Sequence, residues 1–260
     1  MIKDQVIYED NHLLVINKLP GQLVQGDKTG DSPLLEELRE YIRVTASKPG
    51  NVFIGLTHRL DRPCSGVVVY AKTSKALERM NAIFREGELE KLYRTVTESA
   101  PKQKNGTLRH FLKKNEKQNK SYVFEEGERD AKEAILTYRH LSDTDRYSLL
   151  EVELITGRHH QIRAQLSAIG CVVKGDLKYG AARSNKDGSI HLHAHSISFI
   201  HPVKKERFRF TASPPSEDPL WKLFSQRHSL CADKRYKISQ NKAGCTENLG
   251  VDKISGDSVK

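Results

Sequence analysis

Short apolar runs alternating with turn residues set the rhythm of the first hundred positions. Val6-Ile7-Tyr8 and Leu13-Leu14-Val15-Ile16 flank the polar segment Glu9-Asp10-Asn11-His12, which predicts two strands around a tight turn. Lys18-Leu19-Pro20-Gly21 ends the second strand with a Pro-Gly turn. Asp31-Ser32-Pro33 then offers an N-cap and a proline at the first helical position. Leu34, Leu35, Leu38, Tyr41 and Ile42 follow at helical spacing, so an amphipathic helix is predicted over residues 33–44, closed by Lys48-Pro49-Gly50-Asn51. Val52-Phe53-Ile54-Gly55-Leu56 reads as a strand, and so does Val67-Val68-Val69-Tyr70-Ala71. Thr73 or Ser74 can then cap a helix bearing Leu77, Met80, Ile83 and Phe84.

The second half repeats the theme with fewer helices. Strand character returns over residues 90–96. Residues 131–155 hold two apolar runs, Ala134-Ile135-Leu136-Thr137-Tyr138 and Tyr147-Ser148-Leu149-Leu150-Glu151-Val152, joined by a short polar link as in an antiparallel hairpin. Thr156-Gly157-Arg158-His159-His160-Gln161-Ile162-Arg163 leads into a helix carrying Ala164, Leu166, Ala168 and Ile169. Gly175-Asp176-Leu177-Lys178-Tyr179-Gly180 is a turn-rich loop, and residues 190–200 and 208–210 read as closing strands. Strands and helices mix without a strict βαβ order, so the fold class is α+β, with a mainly antiparallel mixed sheet. One domain over residues 1–225 is expected, followed by a polar, weakly ordered tail over 226–260.

Composition narrows the function classes. Hydrophobic residues make up 37% of the 260 positions, enough for a core, and 43 Lys plus Arg against 33 Asp plus Glu give a net charge of +10. That balance favours a polyanionic partner, nucleic acid ahead of a membrane surface. No apolar run approaches the roughly 20 residues a transmembrane helix needs, and the N-terminus lacks the apolar region of a signal peptide. Cys64, Cys171, Cys231 and Cys245 are scattered, so reduced thiols in a cytoplasmic protein are expected. Residues 102–120 concentrate Lys102, Lys104, Arg109, Lys113, Lys114, Lys117 and Lys120 against Glu116 alone, which reads as a solvated or phosphate-contacting loop. No Walker A pattern and no Gly-x-Gly-x-x-Gly fingerprint appears, so no nucleotide cofactor is expected.

Three side-chain clusters compete for the chemistry. In His58-Arg59-Leu60-Asp61-Arg62-Pro63-Cys64-Ser65-Gly66 one carboxylate sits between two guanidinium groups just before a strand. Its alternatives are a surface ion pair and an ionised catalytic carboxylate, joined by Tyr93, Arg158 and Arg163 at a strand-to-helix transition suited to anions. The second cluster is His191-Leu192-His193-Ala194-His195, with His201 beyond. Alternate strand residues share a face, so three imidazoles could meet a metal, but no acidic residue lies within the stretch, and core or surface histidines are the expectation. The third, Cys64 with His58, lacks any group identified as lowering the thiol pKa and is set aside.

Taken in order, these segments resemble the RluA-type family of RNA pseudouridine synthases. The resemblance is carried by His58-Arg59-Leu60-Asp61 with Ser65-Gly66 and the valine-rich strand, Ala71-Lys72-Thr73-Ser74-Lys75-Ala76-Leu77, Lys91-Leu92-Tyr93, Thr156-Gly157-Arg158, His160-Gln161-Ile162-Arg163 and Gly175-Asp176 with Tyr179-Gly180. It implies a cofactor-free isomerisation in which uracil leaves its ribose, rotates and rejoins through C5. Asp61 would be the essential carboxylate, by attack on the ribose or by proton removal. Tyr93 would lie against the flipped base, and Arg163 would pair with Asp61. Arg59 would fill the gap left in the RNA, with His58 and Arg158 as further substrate contacts. Cys64, His159 and Gln165 stand where the family usually has Thr, Thr or Ser, and His. The family's frequent S4-type RNA-binding module is not expected here, the partner would be ribosomal or transfer RNA, and a monomer without metal is expected. A non-catalytic RNA-binding or ribosome-assembly protein that kept the fold, and a metallohydrolase built on His191, His193 and His195, are the competing readings.

Overall fold

The computed structural model describes residues 2–26, 30–45, 50–226 and 251–253. In chain order its elements are β1 (Val6–Glu9), β2 (Leu13–Lys18), α1 (Leu34–Thr45), β3 (Gly55–Leu56), β4 (Ser65–Ala71), α2 (Ser74–Glu86), β5 (Leu89–Thr97) and β6 (Asn105–Asn115). There follow β7 (Lys120–Phe124), β8 (Lys132–Asp143), β9 (Ser148–Leu154), α3 (Gln161–Ala168), β10 (Leu192–Ile200), β11 (Arg207–Thr211) and β12 (Val251–Lys253). The sheet runs β1-β2-β4-β10-β5-β9-β8-β6-β7, with β3 on β4 and with β11, which itself pairs β12, on β10. Among the described residues β4 and β10 pair parallel and every other pairing is antiparallel. The expected α+β class with a mainly antiparallel mixed sheet is therefore observed.

The continuous apolar runs of β2 and β4 follow from burial on both faces. Leu14, Ile16, Val68 and Tyr70 face α1 through Leu34, Leu38 and Ile42. Their alternates Leu13, Val15, Val67 and Val69 join Met80 of α2 and the aromatic pair Phe208 and Phe210 of β11. Thr73 caps α2 by accepting the Ala76 N–H, and Gly87 closes it in the left-handed region at φ 75°. No helix among the described residues is long and apolar enough to cross a membrane.

Four expectations change. The strand expected over 52–56 contracts to the two residues of β3. The strand expected from Val67 begins two residues earlier, at Ser65-Gly66. Gly66 has φ 119°, and a Cβ there would lie 2.3 Å from Ala194 O, so only glycine lets β10 approach β4. The basic stretch over 102–120 is a strand and hairpin, because Leu108, His110 and Leu112 alternate with Arg109, Phe111 and Lys113 at period two. Two of its cations find acids from outside the stretch, Arg109 with Glu133 and Lys113 with Glu128 at 2.8 Å. Finally, Val251–Lys253 pairs with the open edge of β11. The rest of the expected tail beyond Gln226, and the Lys48-Pro49 break, lie outside the described residues.

The histidine strand packs inward. His193 is fully buried, its Nε2 lying 3.0 Å from Ala212 O as donor and its Nδ1 2.8 Å from the Ser65 hydroxyl as acceptor. His195 places Nδ1 3.1 Å from the same carbonyl, and His191 stacks on Trp221 and contacts Asp218. Among the described residues no group of three or more His, Cys, Asp or Glu is arranged to hold a metal.

Two stability predictions follow from this packing. Gly66→Ala should lower unfolding stability by more than about 2 kcal/mol, read from the urea midpoint, because backbone rather than a movable side chain occupies the Cβ position. Burial pushes His193 down to about 3 and His195 down to about 4. The unfolded chain takes up these protons near 6.5 and the folded chain does not, so their favourable contribution is complete above that pH and is lost as pH falls. The urea midpoint should drop between about pH 6.5 and 5, by on the order of 1 kcal/mol per pH unit per buried histidine, and His193→Gln should flatten that drop.

Candidate active site

Asp61 sits in the loop between β3 and β4, and the loop is tied from beneath by a buried lysine. Period-two alternation in β2 places Lys18 on the same face as Leu14 and Ile16, and its side chain is fully buried. Its ammonium donates to three carbonyls, Leu19 O at 3.0 Å, Arg62 O at 3.1 Å and Cys64 O at 2.6 Å. Gly21 N–H adds a bond to Arg62 O at 2.8 Å, and Cys64 N–H closes a turn on Asp61 O at 3.0 Å. Burial pushes Lys18 down to about 8, with the Asp61 charge opposing, so it stays mainly charged at neutral pH. The loop's backbone is thereby held on the sheet.

Arg163, in the first turn of α3, reaches the carboxylate from the other side. Its Nη1 donates to Asp61 Oδ2 at 2.9 Å, while Nε and Nη2 grip Asp176 Oδ2 and Oδ1 at 2.6 and 2.8 Å. The fork-on-carboxylate geometry fixes the plane of the guanidinium, and Tyr179 covers it at 5.0 Å from the ring centroid. Arg163 and Asp176 are 5% and 1% exposed, whereas the Asp61 side chain keeps 31% of its surface open to the cleft. Asp176 is spent on holding Arg163, and Asp61 is left available.

Asp61, Tyr93, Arg163, Arg59 and Arg158 line one cleft, together with Cys64, Leu154, His160 and Leu192. Tyr93 comes from β5, between Val152 of β9 and Ala194 of β10. Arg59 and Arg158 are exposed at its rim, and Arg158 Nε donates to Glu133 O at 2.8 Å. His58 is not brought there. Its Nε2 accepts the Val69 N–H at 3.1 Å and its ring stacks on Phe84, so it braces β4 against α2 and is not among the residues lining the cleft.

The electrostatics favour one ionised acid in this cleft. Burial pushes the Asp61 carboxyl up, but His160, when charged, and Arg163 outweigh it and hold the carboxyl below its ordinary value. Burial drives His160 itself down to about 3, so near neutral pH the charge holding Asp61 ionised is that of Arg163. Burial also pushes up the Tyr93 phenol and the Cys64 thiol, and the Asp61 charge adds to both. Tyr93 is thus a neutral ring and Cys64 a protonated thiol, which leaves no thiolate nucleophile.

Sequence reasoning assigned no role to Lys18, His160, Asp176 or Tyr179. Lys18 was legible, because a lysine in phase with Leu14 and Ile16 has to be buried. Asp176 was not, since nothing in the chain couples it to Arg163 before α3 and the following loop pack. Gln165, where the resemblance leads one to expect His, is fully buried and donates to Leu108 O at 3.1 Å and Ala134 O at 3.0 Å, tying α3 to β6 and β8.

Lys18→Met should leave three carbonyls without their charged donor. A loss of about 2–4 kcal/mol is expected, with faster amide hydrogen exchange at Gly21 and Cys64 as the local readout of a loosened loop.

Comparison with known proteins gives the arrangement its context. A family model described as RNA pseudouridylate synthase matches residues 12–168. Ribosomal large subunit pseudouridine synthase D of Zymomonas mobilis is 29% identical over 82% of this chain and 70% of its own length. An uncharacterized RNA pseudouridine synthase of Synechocystis is 32% identical over 81% of this chain and 65% of its own length. The tRNA pseudouridine synthase C of Vibrio parahaemolyticus is 29% identical over 85% of this chain and 94% of that protein. The solved structure of human RNA pseudouridylate synthase domain containing 4 shares the fold, with a TM-score of 0.71 and 22% identity over 88% of this chain and 94% of that one. The family match runs from β2 through α3 and spans the loop, strand and helix that converge on the cleft, so this chain belongs to the RNA pseudouridylate synthases, isomerases that convert uridine in RNA to pseudouridine.

Proposed function

We propose that this chain isomerises uridine in ribosomal or transfer RNA with Asp61 as the essential carboxylate. The observation that carries the reading is the ionised, partly open Asp61 held by Nη1 of Arg163, whose Nε and Nη2 are engaged by Asp176. A carboxylate so paired stays charged while part of its surface faces a reacting atom. The names of the relatives support the RNA classes, one acting on the large ribosomal subunit and another on tRNA. Residues 1–225 would form the catalytic domain.

In the reaction the N1–C1′ bond breaks, the freed uracil rotates, and a C5–C1′ bond forms. The C5 proton is lost and N1 gains one, so no electron donor or acceptor is needed. Asp61 would act on the ribose, by attack at C1′ or by taking a proton from the sugar. Tyr93 would supply the wall against which the extruded base lies, and its neutral phenol suits contact with an uncharged base. Leu154 and Leu192 would exclude water from the same side. Arg59 and Arg158 at the rim would meet phosphates or the gap left by the extruded base, whose extrusion costs a few kcal/mol.

Asp61→Asn tests this. Pseudouridine formation on total rRNA or tRNA should fall by on the order of a thousandfold or more, while RNA affinity changes little, because the amide is isosteric and the cationic rim is untouched. Undiminished modification by the variant would refute the assignment. Pseudouridine mapping of total RNA from a deletion strain beside its parent would identify the target, and an unchanged profile would favour the non-catalytic RNA-binding alternative.

A further inference from the structure

His160 precedes α3 in a backbone conformation that non-glycine residues adopt only a few per cent of the time. Its φ is 52° and its ψ 26°, in the left-handed region, and its side chain makes no capping hydrogen bond to the helix. Gln161 does the tethering that a cap would do, accepting the Arg158 N–H at 2.9 Å and the Thr156 hydroxyl at 2.8 Å. The His160 side chain at the cleft is thus free of any capping role.

The ring is fixed from three sides. His159 stacks on it at 3.8 Å between centroids, the Tyr179 hydroxyl lies 3.0 Å from its Nδ1, and Nε2 lies 3.4 Å from Asp61 Oδ2. The Tyr179 hydroxyl accepts the Ser121 N–H at 2.9 Å, so its own proton is free to go to Nδ1 or to the more distant Ser121 O at 3.2 Å. A proton on Nδ1 would aim the Nε2 lone pair at a carboxylate. Donation from Tyr179 to Nδ1 instead puts the imidazole proton on Nε2, facing Asp61.

We infer that His160 is a positioning residue for Asp61, held by Tyr179 as its Nε2–H tautomer so that it serves as a second donor to the carboxylate beside Arg163. At 3.4 Å the contact is long, as such contacts often are before substrate binds. Arg163 alone fixes one oxygen of Asp61 along one direction. A second donor on the same oxygen, Oδ2, restricts rotation of the carboxylate about its last bond and leaves Oδ1 for the ribose. Because a neutral imidazole donates without adding charge, Asp61 keeps its nucleophilic character. The inference rests on the uridine-isomerising reading for its consequence in turnover, but not for the contact itself.

The groups around Asp61 that also bear on its titration are Arg163 and His159 from the α3 end, Lys18 from β2, Cys64 on its own loop and Tyr93 on β5. Lys178 and Arg163 act on His160 itself. None of these is altered by the test, which compares His160→Leu with His160→Gln, a variant that keeps an N–H donor. Two measurements are made: a carbon-13 NMR titration of the Asp61 carboxyl, assigned against Asp61→Asn, and steady-state pseudouridine formation giving kcat and KM.

His160→Leu should move the Asp61 titration up by roughly half a pH unit or more and lower kcat by about tenfold with KM within about twofold. His160→Gln should restore most of both. Tyr179→Phe should lower kcat in the wild-type background and have no further effect in His160→Leu, since it acts through the same ring. An unmoved titration in His160→Leu, equal losses in the Leu and Gln variants, or additive losses with Tyr179→Phe would each overturn the inference. Should His160→Leu fail to fold, Tyr179→Phe alone against Tyr179→Phe with His160→Gln reads the same coupling. A shifted titration in a protein that modifies no uridine would leave the contact standing and remove the reaction.

Discussion

One guanidinium shared by two carboxylates organises this molecule. Arg163 is 5% exposed and gives two nitrogens to Asp176 and one to Asp61. Two negative charges beside one positive would be unfavourable in a dry interior, and breaking such a buried group costs about 3–5 kcal/mol when one partner is removed. The arrangement is sustained because Asp61 remains partly open to the cleft, where solvent screens it. Asp176 fixes the orientation of the fork, and the fork fixes Asp61. The carboxylate that opens on the cleft is thus aimed by one that is buried.

Everything else near the cleft serves that aim from a different direction. Lys18 draws the carbonyls of the 61–64 loop onto the sheet, and Gly66 allows β10 to lie close enough to carry Leu192 into the cleft wall. Tyr93 arrives on β5 because β5 lies between β9 and β10, strands far from it in sequence. Membership of the RNA pseudouridylate synthases explains why loop, strand and helix are ordered this way along the chain. The buried contacts explain why they meet.

The histidines teach a different lesson. His191, His193 and His195 do share a face, as their spacing requires, yet their rings engage Asp218, Ser65 and the Ala212 carbonyl. His58, three residues before Asp61 in sequence, turns to Phe84 and Val69. His160, which no spacing rule singles out, lies against Asp61. An imidazole's role depends on which of its two nitrogens meets a donor or an acceptor, and one-dimensional proximity does not carry that information.

The sequence by itself determined most of the elements and the family. Period-two and helical spacing marked β2, β4, α1 and α2, because apolar periodicity is a local property of backbone geometry. The ordered motifs around Asp61, Tyr93 and Arg163 marked the family and its cleft. The basic run over 102–120 misled because charge was weighed before alternation, and its partners Glu128 and Glu133 lie outside the run. Only the tertiary structure decided that Asp176 would hold Arg163, that Lys18 would be buried beneath the Asp61 loop, and that His160 rather than His58 would face the carboxylate. Those outcomes depend on which distant groups a fold brings within about 3 Å of one another. Hydrogen bonding at that range is set by packing in three dimensions and leaves no periodic trace along the chain.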